Sequence, residues 1–507
     1  MVHRRTDKRL SKDLDENCRL LESVIGDTPD LIRRRLRLGS RGSVEAEVIA
    51  LAGLSDSAFV SEHVILPILA QTADAPVTRA NAYAYVVAAL SAATDVVEEE
   101  FLFPVVQQLL RGSTVVLVDG LGRAVIVSTG APPERAVAEP ESEALVRGPR
   151  DGFNESLTTS VALIRRRVKA ADLRVEELTV GELSPTLVNL CYLKSRVDPD
   201  VLQDVRARIR ALRVDSLLDT GELAEYISDQ RYPLFPTILL TERPDRTAAG
   251  IMEGKVAVLV DGSPVALLAP NSFWDFLMSP DDYFQNPFLI TFLRWVRLVA
   301  FLVAMLAPAL YIAGTTFHQE MIPTTLALRI AAGREGTAFP AVVEALILEV
   351  QFELLREAGL RIPRKIGTAV SIVGVLVIGQ ALVAAGVVSP IMITVVGATA
   401  VASFAVPIFA AATPTRLLRF PLMVLAGTFG IYGIVLGTFL IVAHVTALKS
   451  FGRPYLLPVA PLRWRDLLDS PLYRAPRSLE SQTESGSFPA GHFRRRSSWR
   501  RKRWSTQ

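Results

Sequence analysis

The stretch Ile366–Thr415 reads IGTAVSIVGVLVIGQALVAAGVVSPIMITVVGATAVASFAVPIFAAATPT and contains no Asp, Glu, Lys, Arg or His. A helix needs about 20 apolar residues to cross a bilayer core, so this stretch is long enough for two membrane spans. Ser389 and Pro390 lie near its middle, where a turn between the spans is expected. The sequence therefore predicts an integral membrane protein.

The charged residues divide the chain around this stretch. Half of the 507 residues are hydrophobic and 21% are charged, and these fractions coexist because the charges are unevenly distributed. Arg294 and Arg297 precede the first apolar segment, so that edge is expected to face the cytosol. The N-terminus lacks the apolar region of a signal peptide, so we expect the large N-terminal region to be cytosolic. Residues 286–448 are predicted to form an α-helical polytopic membrane domain, with spans near 298–317, 366–387, 390–412 and 421–448.

One predicted helix, 339–360, leaves the topology open. Glu349 and Glu353 lie four residues apart and share one face, whereas Glu344 projects from the opposite side. The helix either lies on the membrane surface as an amphipathic helix or is re-entrant, with its acids facing water or an ion. A helix that crossed the membrane would make five spans and place the basic C-terminal tail outside. The charge of that tail favours a helix that does not cross, with four spans and both chain ends in the cytosol. Arg416 and Arg419 would then lie outside, against the positive-inside rule.

The second predicted span is rich in small residues. Its glycines allow close approach of helices, and Gln380 is its only large polar side chain. The alternative is that the span lines a narrow pore in an oligomer, where small residues and valines form a constriction that excludes water. The candidate pore or packing residues are Gly374, Val375, Val377, Gly379, Gln380 and Gly386.

The N-terminal region contains an internal repeat. The sequence Val116–Gly120, VLVDG, recurs 142 residues later as Val258–Gly262, and the same offset carries Asp56 onto Asp198. Asp-Gly between apolar alternating segments is typical of a hairpin turn and does not by itself indicate a ligand site. We therefore predict two repeated α/β subdomains. The expected order is a flexible N-terminal segment (1–30), subdomain 1 (31–135), a linker with a connecting helix (136–164) and subdomain 2 (165–285).

The sequence contains no motif that indicates an enzyme, a cofactor site or nucleic-acid binding. The five histidines are scattered and lack the spacing of metal ligands. Gly39–Ser43 lacks the lysine of a phosphate-binding loop. The segment 449–507 is predicted to be a cytosolic basic tail. The arginines and tryptophans near its end indicate either a solvated terminus or a contact with anionic lipid headgroups.

Several phrases together resemble the A subunits of GerA-type spore germination receptors, a family that also includes SpoVAF-like proteins. The resemblance covers about residues 30–475, and the phrases occur in one order along the chain. Among them are GPRDGFNESL (148–157), TERPD (241–245), TTFHQE (315–320), RLLRFP (416–421) and SFGRPY (450–455).

This resemblance implies a role in waking dormant bacterial spores. A protein of this kind is expected in the spore inner membrane, beside a transporter-like B subunit that binds the nutrient and a lipoprotein C subunit. It is thought to form a homo-oligomer and to pass ions when the nutrient is sensed. The alternatives are a SpoVAF-like channel that amplifies germination and a non-conducting scaffold that docks the transporter-like partner.

Overall fold

The structure of the chain is a computed structural model, and it divides into two units. The first lies within residues 8–230 and 238–271, and the second within 233–237 and 272–474. The structure describes residues 8–40, 42–90, 96–130, 139–140, 143, 148–230, 233–283, 285–361, 379–463, 469–470 and 473–474.

The first unit begins with a five-stranded antiparallel sheet in the order β1-β2-β4-β5-β3. Its strands are short and rich in β-branched residues, which pack well on a pleated surface. The Asp119-Gly120 pair lies between β4 and β5, which pair in antiparallel fashion, so the predicted hairpin is confirmed. The strands are β1 (Leu31–Leu38), β2 (Val44–Leu51), β3 (Val96–Glu99), β4 (Thr114–Val118) and β5 (Ala124–Val127).

Helices cover both faces of this sheet. Alternate strand residues point to opposite faces, so Ile49 and Val115 pack against one helix layer while Val48 and Val116 pack against the other. The first layer contains α1 (Leu14–Ile25) and α5 (Leu102–Leu109). The second contains α2 (Ser57–Val60), a π-helical turn (Ser61–Ile65), α3 (Leu66–Thr72) and α4 (Ala82–Leu90).

A second sheet of five antiparallel strands repeats this topology in the order β6-β7-β9-β10-β8. The register repeats as well: Val48 pairs with Val116 in the first sheet, and Leu190 pairs with Val258, each 142 residues further on, in the second. The strands are β6 (Leu173–Val180), β7 (Thr186–Leu193), β8 (Leu239–Thr241), β9 (Val256–Val260) and β10 (Ala266–Ala269). The helices are α6 (Leu157–Arg167), α7 (Pro199–Ala211), α8 (Thr220–Ile227) and α9 (Pro244–Glu253).

The repeat starts earlier than the sequence analysis placed it. Helix α1 lies in the segment predicted to be flexible, yet Leu14, Leu21 and Ile25 are buried in the core of the first subdomain. Asp13 caps its N-terminus by accepting from the backbone N–H groups of residues 15 and 16. The prediction is therefore wrong for α1. Helix α6 stands at the same place in the second repeat, so it opens that repeat and is more than a connection.

Two arginines of the second repeat, the buried Arg165 and the half-buried Arg174, join the two repeats into one unit. Arg165 of α6 pairs with Asp30, and its Nη2 donates to Asp30 Oδ1 at 2.9 Å. Arg174 of β6 donates to the carbonyl oxygens of Val24 and Ile25 at the C-terminus of α1. Those carbonyls have no partner within the helix, so the second repeat caps the first helix of the first repeat.

The second unit is helical. In the described part of the chain, two stretches are long and apolar enough to cross a membrane, Pro287–Thr316 and Ala410–Ala447. A short helical segment, 379–384, precedes α13. The helices are α10 (Pro287–Thr316), α11 (Thr324–Arg334), α12 (Ala341–Arg361), α13 (Pro390–Phe404) and α14 (Phe409–Ala447). Four two-residue strands follow: β11 (Lys449–Ser450), β12 (Arg453–Pro454), β13 (Asp469–Ser470) and β14 (Tyr473–Arg474).

The last of these helices folds back on itself at Gly430. This glycine has φ 61° and ψ −139°, a combination that does not occur within an α-helix. A Cβ added at Gly437 would lie 2.6 Å from Leu422 Cδ2, whereas in a straight helix residues so far apart in sequence are separated by about 22 Å. The stretch 421–448 is therefore not the single span that the sequence analysis predicted. It holds the end of one helix and the whole of an antiparallel second one.

The segment after α14 packs against the residues before α10. The Phe273 N–H donates to the Tyr455 carbonyl at 2.8 Å, and Trp274 Nε1 donates to the Leu456 carbonyl at 3.2 Å. The Tyr455 hydroxyl donates to the Pro236 carbonyl at 2.7 Å. Both ends of the helical unit therefore lie together.

Candidate functional site

Two ion pairs connect α12 with the first half of α14. Glu349, on the buried face of α12, pairs with Arg419. One turn further on, Arg416 Nη1 donates to Glu353 Oε1 at 2.5 Å. Because Glu349 faces Arg419 and Glu353 faces Arg416, the two helices run in opposite directions. Val342 lies against Gly427 in the same register.

A third arginine fixes the contact between α12 and α13. Arg356 Nη2 donates to Ser403 Oγ at 3.0 Å. Its guanidinium also lies over the rings of Phe352 and Phe404, with centroid distances of 4.9 and 5.4 Å. Arginine suits this position because its planar group stacks on aromatic faces while it donates hydrogen bonds at its edge.

Glu344 lies at the other end of α12, at the start of α13. Its Oε2 accepts from the Ser389 backbone N–H at 3.2 Å and from Ser389 Oγ at 3.0 Å. Ser389 Oγ in turn accepts from the Met392 N–H and caps α13. A carboxylate is stabilised at a helix N-terminus by the helix dipole. Arg334 Nη2 lies 3.5 Å from Glu344 Oε1 and supplies a balancing charge.

In this structure, each of the three predicted acids lies beside an arginine. Glu344 and Glu349 are buried, and Glu353 is half-buried. Each one has an arginine beside it, so the charge that costs most in an apolar interior is compensated locally. The arrangement holds helices in register, and its chemistry is that of ion pairs and helix caps.

The predicted pore or packing residues are only partly visible. Gly374, Val375 and Val377 lie outside the described residues. Among the described residues, a Cβ added at Gly379 would meet no atom within 4 Å, and Gln380 is exposed. Gly386 differs: its φ is 66°, and an added Cβ would lie 2.6 Å from the Gly336 carbonyl oxygen. Of these glycines, Gly386 makes a close approach within a single copy of the chain.

Sequence reasoning did not assign the partners of these acids. Arg416 and Arg419 conflict with the positive-inside rule in the predicted topology and also belong to the family phrase RLLRFP (416–421). That conflict could have identified them as partners of the acids, because a buried carboxylate requires a cation and these arginines interrupt an apolar region. Ser389 was treated as a turn residue, although serine before a helical proline is also a helix cap. In the part of the chain that the structure describes, no group of three or more His, Cys, Asp or Glu could hold a metal ion.

A model of the family described as "Bacillus/Clostridium GerA spore germination protein" matches residues 19–485. The chain belongs to the GerA family. Spore germination protein KA of Bacillus subtilis (strain 168) is 40% identical over 467 residues, which cover 92% of this chain and 85% of that protein. Spore germination protein GerLA of Bacillus cereus is 35% identical over 473 residues, covering 93% and 94%.

Two further similarities differ in how much of the chain they cover. The Bacillus subtilis (strain 168) protein called "Uncharacterized membrane protein YfkQ" is 37% identical over 470 residues, covering 93% of this chain and 90% of that one. The crystal structure of the N-terminal domain of the A subunit of the Bacillus megaterium spore germinant receptor GerK3 is 27% identical, with a TM-score of 0.43. It covers 52% of this chain and 97% of that chain.

Proposed function

We propose that this chain is the membrane subunit of a nutrient-sensing spore germination receptor and that it oligomerises into a nutrient-gated ion conduit. The observation that carries its placement in a membrane is the inverted polarity of the helical unit. Asp282, Arg294 and Arg419 are buried, while Phe288, Tyr432 and similar large apolar side chains are exposed. Soluble proteins show the reverse distribution.

Helix α10 shows this inversion within one element. Phe288, Phe292, Trp295 and Val299 recur at helical spacing and form one exposed stripe. Arg294, between them, points inward and donates to Asp282 at 3.2 Å. Charges that turn inward and aromatic residues that turn outward suit a lipid environment and its interface.

The helix directions support a multi-pass arrangement. Arg419 contacts α10 near its middle and Gly430 contacts its end at Phe317, so α10 and the first half of α14 run in the same direction. Helix α12 and the second half of α14 run in the opposite direction. Helix α12 is therefore a member of the bundle, and we place it across the membrane instead of on its surface.

The proposed ion conduit lies between copies of the chain. Among the described residues, a Cβ at Gly379 would have open space around it and Gln380 is exposed, which favours their facing a second copy or a pore. A transporter-like B subunit would bind the nutrient, and a lipoprotein C subunit would complete the receptor. Binding that favours one of two states would shift the oligomer toward its conducting form.

The test is germination measured nutrient by nutrient, as ion release, in spores that lack this gene. Loss of the response to one class of nutrient is the expected result for a receptor subunit. A uniform slowing for every nutrient instead indicates a SpoVAF-like amplifying channel. Unchanged ion release for all nutrients, in a strain without a second copy of the gene, contradicts the proposal.

A further inference from the structure

Helix α10 carries a proline in its interior. Pro308 has no backbone N–H, so the carbonyl four residues earlier, at Ala304, loses its intrahelical partner. Ala304 is fully buried. Buried carbonyls are nearly always hydrogen-bonded, so this one needs a donor from another element.

Arg419 supplies that donor. Its Nε lies 2.7 Å from the Ala304 carbonyl oxygen, while its Nη1 pairs with Glu349 on α12. One guanidinium therefore joins three helices: α10 at its proline, α12 at its buried acid, and the first half of α14. We call this set of four residues (Ala304, Pro308, Glu349 and Arg419) the arginine bracket.

The bracket is only partly satisfied. Glu349 Oε1 and Arg419 Nη2 are buried and have no hydrogen-bond partner among the residues that the structure describes. Removing one charge of a buried pair leaves the other uncompensated, which is strongly unfavourable. A buried polar set of this kind is therefore sensitive to small displacements of the helices that carry it.

We propose that Arg419 is a positioning residue that holds α10 at its proline in the resting state, and that nutrient-driven opening releases this hold. The proposal rests on the proposed function and names its point of control. Helix α10 is the first helix after the α/β unit along the chain, so a bend at Pro308 changes the direction of its first half relative to its second. Proline in a helix interior is a common origin of such a bend.

The experiment compares spores in which each variant replaces the wild-type gene. Potassium release without nutrient is measured by emission spectroscopy and normalised to the abundance of the chain in the membrane. Glu349→Gln leaves Arg419 unpaired, and Arg419→Lys replaces the fork with a single ammonium group that cannot serve both partners. We expect each variant to raise the rate of spontaneous potassium release about tenfold. This is the change expected when the equilibrium constant between the open and resting states rises about tenfold.

The matched control is Glu357→Gln. It removes the same charge from the same helix two turns further on, at an exposed position, and spontaneous release should stay within about twofold of wild type. The double variant Glu349→Gln with Arg419→Gln removes both charges but also the donor to the buried Ala304 carbonyl, so spontaneous release should stay above the wild-type rate. Pro308→Ala restores an N–H for Ala304, and nutrient-triggered release should slow while abundance is unchanged.

Two results would overturn the bracket. One is that Glu349→Gln and Arg419→Lys match the Glu357→Gln control at normal abundance. The other is that they only lower abundance and that Pro308→Ala responds to nutrient as the wild type does. The deletion strain reports on the proposed function separately. Loss of a nutrient response on deletion, combined with either of these results, rejects the bracket and leaves the function standing.

Discussion

The two cysteines test the packing of the first unit at the residue scale. Cys18 and Cys191 are buried, one in each repeat, and burial raises the pKa of each thiol to about 12. The thiolate is the reactive form, so neither should react with a maleimide at pH 8 in the native chain. Both should react after unfolding in urea, as measured by mass spectrometry. Rapid labelling of one of them in the native chain would show that its repeat opens.

Glu176 gives the second prediction at this scale. Burial alone would raise its pKa, but hydrogen bonds from Arg206 and Tyr192 more than offset this and hold the pKa below its usual value. A carboxyl with a lowered folded-state pKa stabilises the fold above its unfolded pKa, and that contribution is lost as pH falls through the folded value. Glu176→Gln should therefore lower the free energy of unfolding at pH 7 by about 1–2 kcal/mol, with a smaller difference below about pH 4.

The measurement is urea unfolding of the full chain in detergent, followed by circular dichroism at pH 7 and at low pH. The matched control is Arg34→Gln, at the equivalent position of the first repeat. Arg34 is exposed, so its replacement should change the free energy of unfolding by no more than about 0.5 kcal/mol. Equal effects of the two substitutions would contradict the role given to the Glu176 cluster.

At this scale the sequence predicted contacts between residues that are close along the chain, but not contacts between residues that are far apart along it. The four-residue spacing of Glu349 and Glu353 placed them on one face, because helical periodicity is local. Their partners lie 70 and 63 residues further on, and no local rule selects a partner at that distance. Asp56 and Asp198 were predictable as helix starts for the opposite reason, since a cap bonds to N–H groups two or three residues away.

At the scale of elements, the strands of the repeat followed from sequence and the reversal at Gly430 did not. Strand alternation and Asp-Gly turns carry polarity signals that mark where a strand ends. The segment 421–448 has no charged residue near Gly430 that would mark a turn, so its sequence predicted a single span. Its only local sign is a glycine, and glycines also occur within packed helices.

The Gly430 turn itself is testable. Its φ and ψ lie in a region almost confined to glycine, and an added Cβ would come within 2.7 Å of His318 Cε1. Gly430→Ala should destabilise the chain by about 1–3 kcal/mol from backbone strain alone, seen as a lower thermal midpoint and lower abundance in the membrane. The control is Gly397→Ala inside α13, where an added Cβ meets none of the described atoms within 4 Å. Equal stability of the two variants would contradict the reversal.

At the scale of the whole molecule, the contact of Tyr455 with Phe273 constrains the proposed membrane topology: if the helical unit crosses a membrane, the number of crossings should be even. The helical unit begins just after Phe273 and ends just before Tyr455, and these residues are hydrogen-bonded to each other. A chain that leaves and returns on one side crosses an even number of times. The sequence analysis expected this parity from the basic tail, but its list of four spans does not fit the reversal at Gly430 or the position of α12 inside the bundle.

Single cysteines introduced at exposed positions test this parity. Because the native cysteines are buried, they need not be removed. Leu183→Cys in the α/β unit and Leu462→Cys after α14 should both react with a membrane-impermeant maleimide only from the cytosolic side of oriented vesicles. Met321→Cys, beyond the far end of α10, should react only from the other side. If positions 183 and 462 were labelled from opposite sides, the number of crossings would be odd, and the packing of Tyr455 on Phe273 could not exist in the membrane.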